Sequence, residues 1–276
     1  MVDTVPRIRL NDGTDIPQLG LGVFQVPEDE VAQVVRHALE VGYRSIDTAA
    51  GYENEEGVGE AIASSGLPRE EIYVTTKLTN SEHGYDAALR GFEESRRKLG
   101  LTYVDLYLIH WPQPGRDLYM ETWRAFEKLK ADELVRSIGV SNFLIPHLER
   151  LLAESDVVPV VNQIEVHPGL QQRELREFCW DHDIVPEAYS PLARGEMLSH
   201  PVIVDLAAKY GRTPAQVVLR WHIQEGNIVI PKSTTPERIK ENFELFDFEL
   251  SEEDMKLFDS LDSGQRTGLD PAVVNS

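Results

Sequence analysis

The chain has 276 residues, of which 41% are hydrophobic, and it carries a formal net charge of −20 at pH 7. A chain this acidic has no broad basic patch for nucleic-acid phosphates, and no apolar run approaches the ~20 residues of a membrane span. The only cysteine, Cys179, excludes an internal disulfide and a cysteine-rich metal site.

The N-terminal segment, residues 1–7, lacks the apolar stretch and small-residue cleavage site of a signal peptide. We therefore expect a cytoplasmic protein. An acidic surface with few lysines suits a high-salt cytoplasm, where strong charge maintains solubility, but it also fits an ordinary acidic bacterial protein.

A turn-rich tetrad, residues 11–14, lies between two short strands and predicts a β-hairpin at residues 7–17. After it, short apolar strands alternate with amphipathic helical stretches. The predicted strands are Leu19–Phe24, Tyr43–Asp47, Ile72–Lys77, Val104–His110, Val135–Val140, Val158–Gln163, Ile184–Tyr189 and Asn227–Lys232. The predicted helices include Glu28–Val41, Tyr85–Leu99, Tyr119–Lys130, Leu144–Ala153, Gln172–His182 and Pro201–Tyr210.

This alternation implies right-handed crossovers and a parallel sheet. About eight such units fit an α/β fold of the closed (β/α)₈ TIM-barrel type, preceded by the N-terminal β-hairpin. An open doubly wound sheet fits less well, because Gly20 and Gly22 are not followed by a third glycine and the next helix starts too late. No linker or repeat divides the chain, so we predict a single domain over residues 1–276.

Polar residues stand at the predicted C-terminal ends of neighbouring strands, where barrels of this kind carry their chemistry. These residues are Asp47, Lys77 and His110. Tyr52 lies on the loop that follows Asp47. Taken singly, each can be structural, as a solvated rim charge or a hydrogen-bonded residue. Their convergence favours a functional site.

A phenol has a reference pKa of about 10 and is a poor acid near neutral pH. Lys77 is expected to lower the pKa of Tyr52, and Asp47 to keep Lys77 charged and oriented. His110 is expected to hydrogen-bond the reacting oxygen or to share in proton delivery. Such a site protonates a carbonyl oxygen, and because no side chain can donate a hydride, a cofactor must supply it.

The stretch after the last predicted strand suits an anion. Thr235 is a good N-cap and Pro236 a good first helical residue, and the start of a helix attracts phosphate. Lys232 and Arg238 flank this start and suit the 2′-phosphate of NADP rather than the bare ribose of NAD. The alternative is an ordinary capped helix with solvated charges.

Other strand ends offer groups for a nicotinamide. Tyr189 has an aromatic face on which the ring can stack. Ser141, Asn142 and Gln163 have hydrogen-bonding side chains that suit a carboxamide. The small-residue loop 190–195 can pass under a pyrophosphate.

The sequence resembles the aldo-keto reductase superfamily along nearly its whole length. The resemblance is carried, in order, by Ile46-Asp47-Thr48-Ala49 with Tyr52 and Asn54-Glu55, Thr76-Lys77, Leu108-Ile109-His110-Trp111-Pro112, Ile138-Gly139-Val140-Ser141-Asn142-Phe143, Asn162-Gln163, Tyr189-Ser190-Pro191-Leu192 and Ile230-Pro231-Lys232-Ser233. Within it, the chain is most similar to the short bacterial enzymes grouped with 2,5-diketo-D-gluconate reductase. It departs from them at Tyr189, where that group often has Trp.

The resemblance implies NADPH-dependent reduction of an aldehyde or ketone without a metal, by a monomer with Tyr52 as general acid. The implied catalytic tetrad is Asp47, Tyr52, Lys77 and His110. The implied cofactor residues are Ser141, Asn142, Gln163 and Tyr189 for the nicotinamide, Ser190 and Leu192 for the pyrophosphate, Lys232, Ser233, Thr234 and Arg238 for the 2′-phosphate, and Asn242 for the adenine. Phe24 and Trp111 are expected to line the side that takes a small or sugar-derived carbonyl, such as methylglyoxal or 2,5-diketo-D-gluconate.

Two other functions remain open. The chain can be a non-catalytic NADPH-binding regulatory subunit, since such subunits occur in this superfamily with intact tetrads. A metal-dependent barrel hydrolase would need several His or Asp ligands at strand ends. His110 is the only histidine predicted at one, and there is no His-x-His.

Overall fold

The computed structural model describes residues 5–274, so residues 1–4 and 275–276 of the predicted single domain lie outside the described residues. Its strands are β1 Arg7–Arg9, β2 Asp15–Pro17, β3 Leu21–Gly22, β4 Ser45–Asp47, β5 Tyr73–Leu78, β6 Val104–Ile109, β7 Val135–Ser141, β8 Val161–Glu165, β9 Val185–Tyr189 and β10 Ile228–Val229. Its α-helices are α1 Glu28–Val41, α2 Glu55–Ser64, α3 Tyr85–Leu99, α4 Tyr119–Ala131, α5 Ile145–Glu154, α6 Arg173–Asp181, α7 Pro201–Tyr210, α8 Pro214–Gln224, α9 Pro236–Phe243 and α10 Glu252–Leu257.

The strands β3 to β10 form a parallel sheet in chain order, and β1 and β2 pair separately as an antiparallel hairpin. The first and last strands of the parallel sheet meet through a parallel bridge between Leu19 and Val229. The backbone N–H of Gly20 donates to the carbonyl of Val229 at 2.9 Å there. The predicted (β/α)₈ barrel with an N-terminal hairpin is confirmed.

The two strands at the closure are shorter than predicted. The sequence predicts Leu19–Phe24 and Asn227–Lys232, whereas β3 and β10 have two residues each. Pro231 has no backbone N–H to extend the ladder. Gly22 passes so close to the other strand that an added Cβ would lie 2.8 Å from the carbonyl oxygen of Ile230.

The predicted bounds of α1, α3 and α7 agree with the structure, because each helix has one apolar stripe that faces the barrel. Sequence periodicity did not single out α8. This helix packs against α7, α9 and β10, and all its residues from Ala215 to Ile223 are buried. The polar residues Gln216, Arg220 and His222 are buried together with the apolar ones, so hydrophobicity alone does not mark the buried surface of this helix.

The hairpin covers the N-terminal end of the barrel. The Asn11 amide donates to the carbonyls of Pro159 and Asp183, which precede β8 and β9, at 3.0 Å each. Lys130 pairs with Asp12 at 2.7 Å on the same side. The C-terminal ends of the strands are therefore left open for a site. Within residues 5–274, no helix is both long enough and apolar enough to span a membrane.

Candidate active site

A cleft of about 1120 Å³ opens at the C-terminal end of the barrel. It is large enough for a dinucleotide together with a small substrate. Its lining includes nearly every residue that the sequence predicts for the site: Phe24, Asp47, Tyr52, His110, Trp111, Ser141, Asn142, Gln163, Tyr189, Ser190, Leu192, Lys232, Ser233, Thr234, Arg238 and Asn242. The remaining residue, Lys77, is fully buried and bonds to Asp47 and Tyr52, two of the lining residues.

Lys77 connects the acid to the phenol. Its ammonium donates to Asp47 Oδ1 at 2.6 Å, to the Thr48 carbonyl at 2.8 Å and to the Tyr52 hydroxyl at 3.3 Å. Three acceptors satisfy the three N–H donors of a lysine, which fixes the position of the charge. The geometry presents a phenol with a cation on one side and the open cleft on the other.

Burial acts on both ends of this chain of hydrogen bonds. Burial alone would lower the pKa of Lys77, but the adjacent Asp47 and Tyr52 raise it on balance, so the ammonium stays charged. For Tyr52, burial raises the pKa and the Lys77 charge lowers it, and burial is the larger effect. Lys77 thus acts on the pKa of Tyr52 in the predicted direction, but burial outweighs it and the net pKa is raised. Tyr52 is protonated at neutral pH and can donate its proton.

His110 packs edge-on against Tyr52, with 5.7 Å between ring centroids. Burial, with smaller contributions from Lys77 and His83, lowers the pKa of His110 to about 3. The imidazole is thus neutral at pH 7. It can orient a carbonyl oxygen through a hydrogen bond, whereas a role as a charged proton donor does not fit.

The residues predicted for a carboxamide are hydrogen-bonded to one another. Asn142 has the left-handed φ of 62°, and its side-chain oxygen accepts from the Tyr189 hydroxyl at 2.8 Å. Its amide nitrogen donates to the His110 carbonyl at 3.0 Å. The Ser141 hydroxyl donates to the Gln163 carbonyl at 2.8 Å. These bonds hold the polar groups beside the Tyr189 ring, as a stacked nicotinamide requires.

The start of α9 suits a phosphate. Lys232 and Arg238 are both exposed on the cleft, and neither has an ion-pair partner in the described part of the chain. The predicted N-cap Thr235 occupies the cap position, but its side chain makes no capping bond. Instead its backbone N–H donates to Ser233 Oγ at 3.1 Å. Two unpaired cations beside a helix start fit the 2′-phosphate of NADP.

Phe24 and Trp111 stand where the substrate side is predicted. The Phe24 ring lies 5.0 Å from that of Tyr52, and the Trp111 ring lies 6.3 Å from that of His110. Phe24 lines the cleft and is 48% exposed, so its ring can be reached from the cleft.

The C-terminal tail also forms part of the cleft. Thr267, Gly268 and Leu269 line the cleft. Glu165 at the end of β8 accepts hydrogen bonds from Thr267 and Gly268. The Thr267 backbone N–H and hydroxyl both donate to Glu165 Oε1 at 2.6 Å. Burial raises the pKa of Glu165, but bonds from His167 and Thr267 outweigh it and lower the pKa to about 2. The polar tail sequence carries no periodic signal of this placement.

In the described residues, no group of three or more His, Cys, Asp or Glu side chains is arranged to hold a metal ion. His167, which follows β8, bonds Glu165 at 3.1 Å.

Comparisons with known proteins give matches along nearly the whole chain. The model of the Aldo/keto reductase family matches residues 18–263. Methylglyoxal reductase DkgA of Escherichia coli is 51% identical, with 96% of each chain covered, and glyoxal reductase of Bacillus subtilis is 49% identical, with 96% of this chain and 95% of the relative covered. The crystal structure of an aldo/keto reductase from Brucella melitensis is 57% identical with a TM-score of 0.93, covering 95% of this chain and all of that one. A mutant of Gox0644 in complex with NADPH is 50% identical with a TM-score of 0.95, and 99% of each chain is covered.

Proposed function

The chain belongs to the aldo/keto reductase family, and we propose that it reduces small 2-oxoaldehydes such as methylglyoxal, with Tyr52 as the general acid. It is an NADP-dependent oxidoreductase that reduces carbonyl groups. The observation that carries the proposal is the Tyr52 hydroxyl held 3.3 Å from the buried Lys77 ammonium at the cleft. The relatives named for methylglyoxal and glyoxal support the substrate class.

The residues around the cleft fit NADPH. The nicotinamide would lie on Tyr189 beside Ser141, Asn142 and Gln163, the pyrophosphate near Ser190 and Leu192, and the adenosine end near Lys232, Ser233, Thr234, Arg238 and Asn242. When bound, the cofactor supplies the hydride that reaches the carbonyl carbon. The two exposed cations, in a chain of net charge −20, support NADPH over NADH.

The protein's own part in the reaction is the handling of the proton. Tyr52 and His110 donate hydrogen bonds to the carbonyl oxygen and polarise it. As negative charge develops on that oxygen, Tyr52 gives it the phenolic proton, so the product is an alcohol. Lys77 stabilises the phenolate left on Tyr52, and Asp47 keeps the ammonium charged and in place.

A small substrate suits the shape of the open end. Phe24 and Trp111 flank the phenol and the imidazole, so a short carbonyl compound can reach both donors between two apolar rings. A sugar-derived dicarbonyl such as 2,5-diketo-D-gluconate is the competing substrate of the same chemistry.

The test is NADPH oxidation by the purified protein at low and high salt, with methylglyoxal, a simple aromatic aldehyde and 2,5-diketo-D-gluconate in parallel. We expect turnover of all three and the highest kcat/KM for methylglyoxal. A higher kcat/KM for 2,5-diketo-D-gluconate would contradict the proposed substrate. Tight NADPH binding with no turnover of any carbonyl would contradict catalysis and favour a regulatory subunit.

A further inference from the structure

Glu187 is a buried carboxyl group that the mechanism above does not use. It lies on β9 two residues before Tyr189, so both side chains are on the same face of the strand. Only 1% of it is exposed. A carboxyl group inside a barrel is costly unless hydrogen bonds satisfy it.

The bond that satisfies Glu187 leads to the active site. Gln163 is its register partner on β8, and the Gln163 amide nitrogen donates to Glu187 Oε2 at 3.2 Å. The same nitrogen donates across the barrel to Asp47 Oδ2 at 2.8 Å. A primary amide has two N–H donors, so both are committed to the two carboxyl groups. The amide oxygen is then the group of Gln163 that remains to accept from a carboxamide.

We propose that Glu187 is a positioning residue of this active site. Together with Asp47 it holds the Gln163 amide with its nitrogen turned into the barrel, and when ionised it adds a negative charge to the group of side chains around Tyr52. This proposal rests on the function proposed above.

The carboxyl groups of Glu187 and Asp47 both accept a hydrogen bond from the same amide nitrogen. Two negative charges so close to each other are unfavourable. The Lys77 ammonium lies 2.6 Å from Asp47 and pairs directly with that carboxyl group. Burial and the Asp47 charge raise the pKa of Glu187 to about 8, against the opposing effects of Gln163 and Lys77. Glu187 is therefore the protonated member of the pair at neutral pH.

The ionisable groups that face Glu187 come from the strands across the barrel: Asp47 on β4, Lys77 and Tyr73 on β5, and Tyr52 on the turn after β4. Burial is the main cause that raises the pKa of Tyr52, and an ionised Glu187 adds to it through its negative charge. Tyr52 thus stays protonated to higher pH. Since reduction needs protonated Tyr52, Glu187 extends reductase activity into the alkaline range.

Two substitutions separate the two parts of this role. Glu187→Gln keeps the size and an acceptor for Gln163 but cannot ionise. We expect kcat at pH 7 within about twofold of the wild type, and an alkaline limb of kcat/KM moved to lower pH by roughly one unit. Glu187→Leu removes one of the two acceptors of the Gln163 nitrogen and leaves only Asp47 to hold it, so the KM for NADPH at pH 7 should rise by roughly 3–10-fold with a smaller change in kcat.

Glu55→Gln is the matched control, because it also neutralises a buried carboxyl group, one that bonds Thr76 at 2.6 Å. It should leave the alkaline limb unchanged. The pH profiles use the full chain with NADPH and the best carbonyl of the panel, and thermal unfolding reports whether each variant folds.

An unchanged alkaline limb in Glu187→Gln would overturn the electrostatic part, and an unchanged KM for NADPH in folded Glu187→Leu would overturn the positioning part. If a variant fails to fold, infrared difference spectra of the wild type between about pH 7 and 9.5 decide the charge state. A protonated-carboxyl band that disappears over this range supports the proposal, and the absence of one overturns it. Failure of the proposed function is distinct, since the wild type would then oxidise no NADPH with any carbonyl.

Discussion

Lys77 on β5 and Asp47 on β4 form an ion pair of 2.6 Å whose side chains are 0% and 3% exposed. A buried pair of this kind stabilises a fold only weakly compared with apolar packing, and removal of one partner leaves a costly unpaired charge. The pair does place a fixed cation 3.3 Å from the Tyr52 hydroxyl. The pair therefore bears more on the proposed chemistry at the cleft than on the stability of the fold.

Lys77→Met should abolish most of the activity, because it removes the cation that stabilises the Tyr52 phenolate at nearly constant side-chain length. We expect kcat to fall by about 10²–10³-fold, the usual effect of losing one preorganised charge. The free energy of unfolding should fall by roughly 3–5 kcal/mol, because Asp47 stays buried without its partner. Steady-state kinetics and urea unfolding measure the two effects. The exposed Lys256→Met is the control, and a kcat within tenfold of the wild type would contradict the role of Lys77.

Arg238→Ala should change the preference between cofactors. Loss of a charge-assisted bond to a 2′-phosphate weakens NADPH binding by about 10–100-fold and leaves NADH binding nearly unchanged. Fluorescence titration gives both Kd values. Lys240→Ala, on the same helix and also exposed, removes a cation that lies 3.9 Å from Glu244 instead of lining the cleft. Equal weakening of NADPH and NADH by Arg238→Ala would show that the cation does not meet the 2′-phosphate.

His83→Gln should make stability less sensitive to acid. Burial, helped by Arg116, lowers the pKa of His83 to about 4 from its usual 6.5. The unfolded chain therefore binds a proton between these pH values that the folded protein does not. The contribution of His83 to stability is complete above pH 6.5 and declines as the pH falls towards 4.

The measurement is urea unfolding at about pH 7.5 and pH 5 for wild type and variant, where His83 should account for roughly 2 kcal/mol of the difference. His37→Gln, at a half-exposed position on α1, is the control. An identical change in unfolding free energy for wild type and His83→Gln would contradict the assignment.

Phe24→Ala should affect an aromatic substrate more than methylglyoxal. The ring adjoins Tyr52 and offers an apolar face at the cleft, so its loss should raise the KM for an aromatic aldehyde by about 3–10-fold with little change in kcat. Val204→Ala, which truncates an exposed apolar side chain on α7, is the control. A uniform fall in kcat for all substrates would mean that Phe24 supports Tyr52 and not the substrate.

The polar strand ends made most of the candidate site predictable. Asp47, Lys77, His110 and Gln163 follow apolar runs, and parallel strands in a barrel bring such ends to one rim. Once Tyr189 is placed in the cleft, the period of two also puts Glu187 on the inner face. The inward position of Glu187 can therefore be read from the sequence. Its hydrogen-bond partners cannot, because a single acidic residue within a strand does not show which side chains it contacts.

Two features depended on three-dimensional packing. Burial raises the pKa of Tyr52 and the charge of Lys77 lowers it. The sequence indicates the charge of Lys77, but it does not show how deeply Tyr52 is buried. The tail meets Glu165 about a hundred residues away in sequence. Besides the Thr267 hydroxyl, the donors include the backbone N–H groups of Thr267 and Gly268, and every residue except proline has such a group. No side-chain pattern encodes such a contact.

Tyr52→Phe tests the central claim most directly, because it removes one oxygen and leaves the ring against Phe24 and His110. NADPH binding is measured by fluorescence, and methylglyoxal-dependent NADPH oxidation is measured on the same preparations. We predict an NADPH Kd within about twofold of the wild type and a kcat lower by at least about 10²-fold, as expected for loss of a general acid. Turnover by Tyr52→Phe at a rate close to that of the wild type would contradict the assignment of Tyr52 as the proton donor.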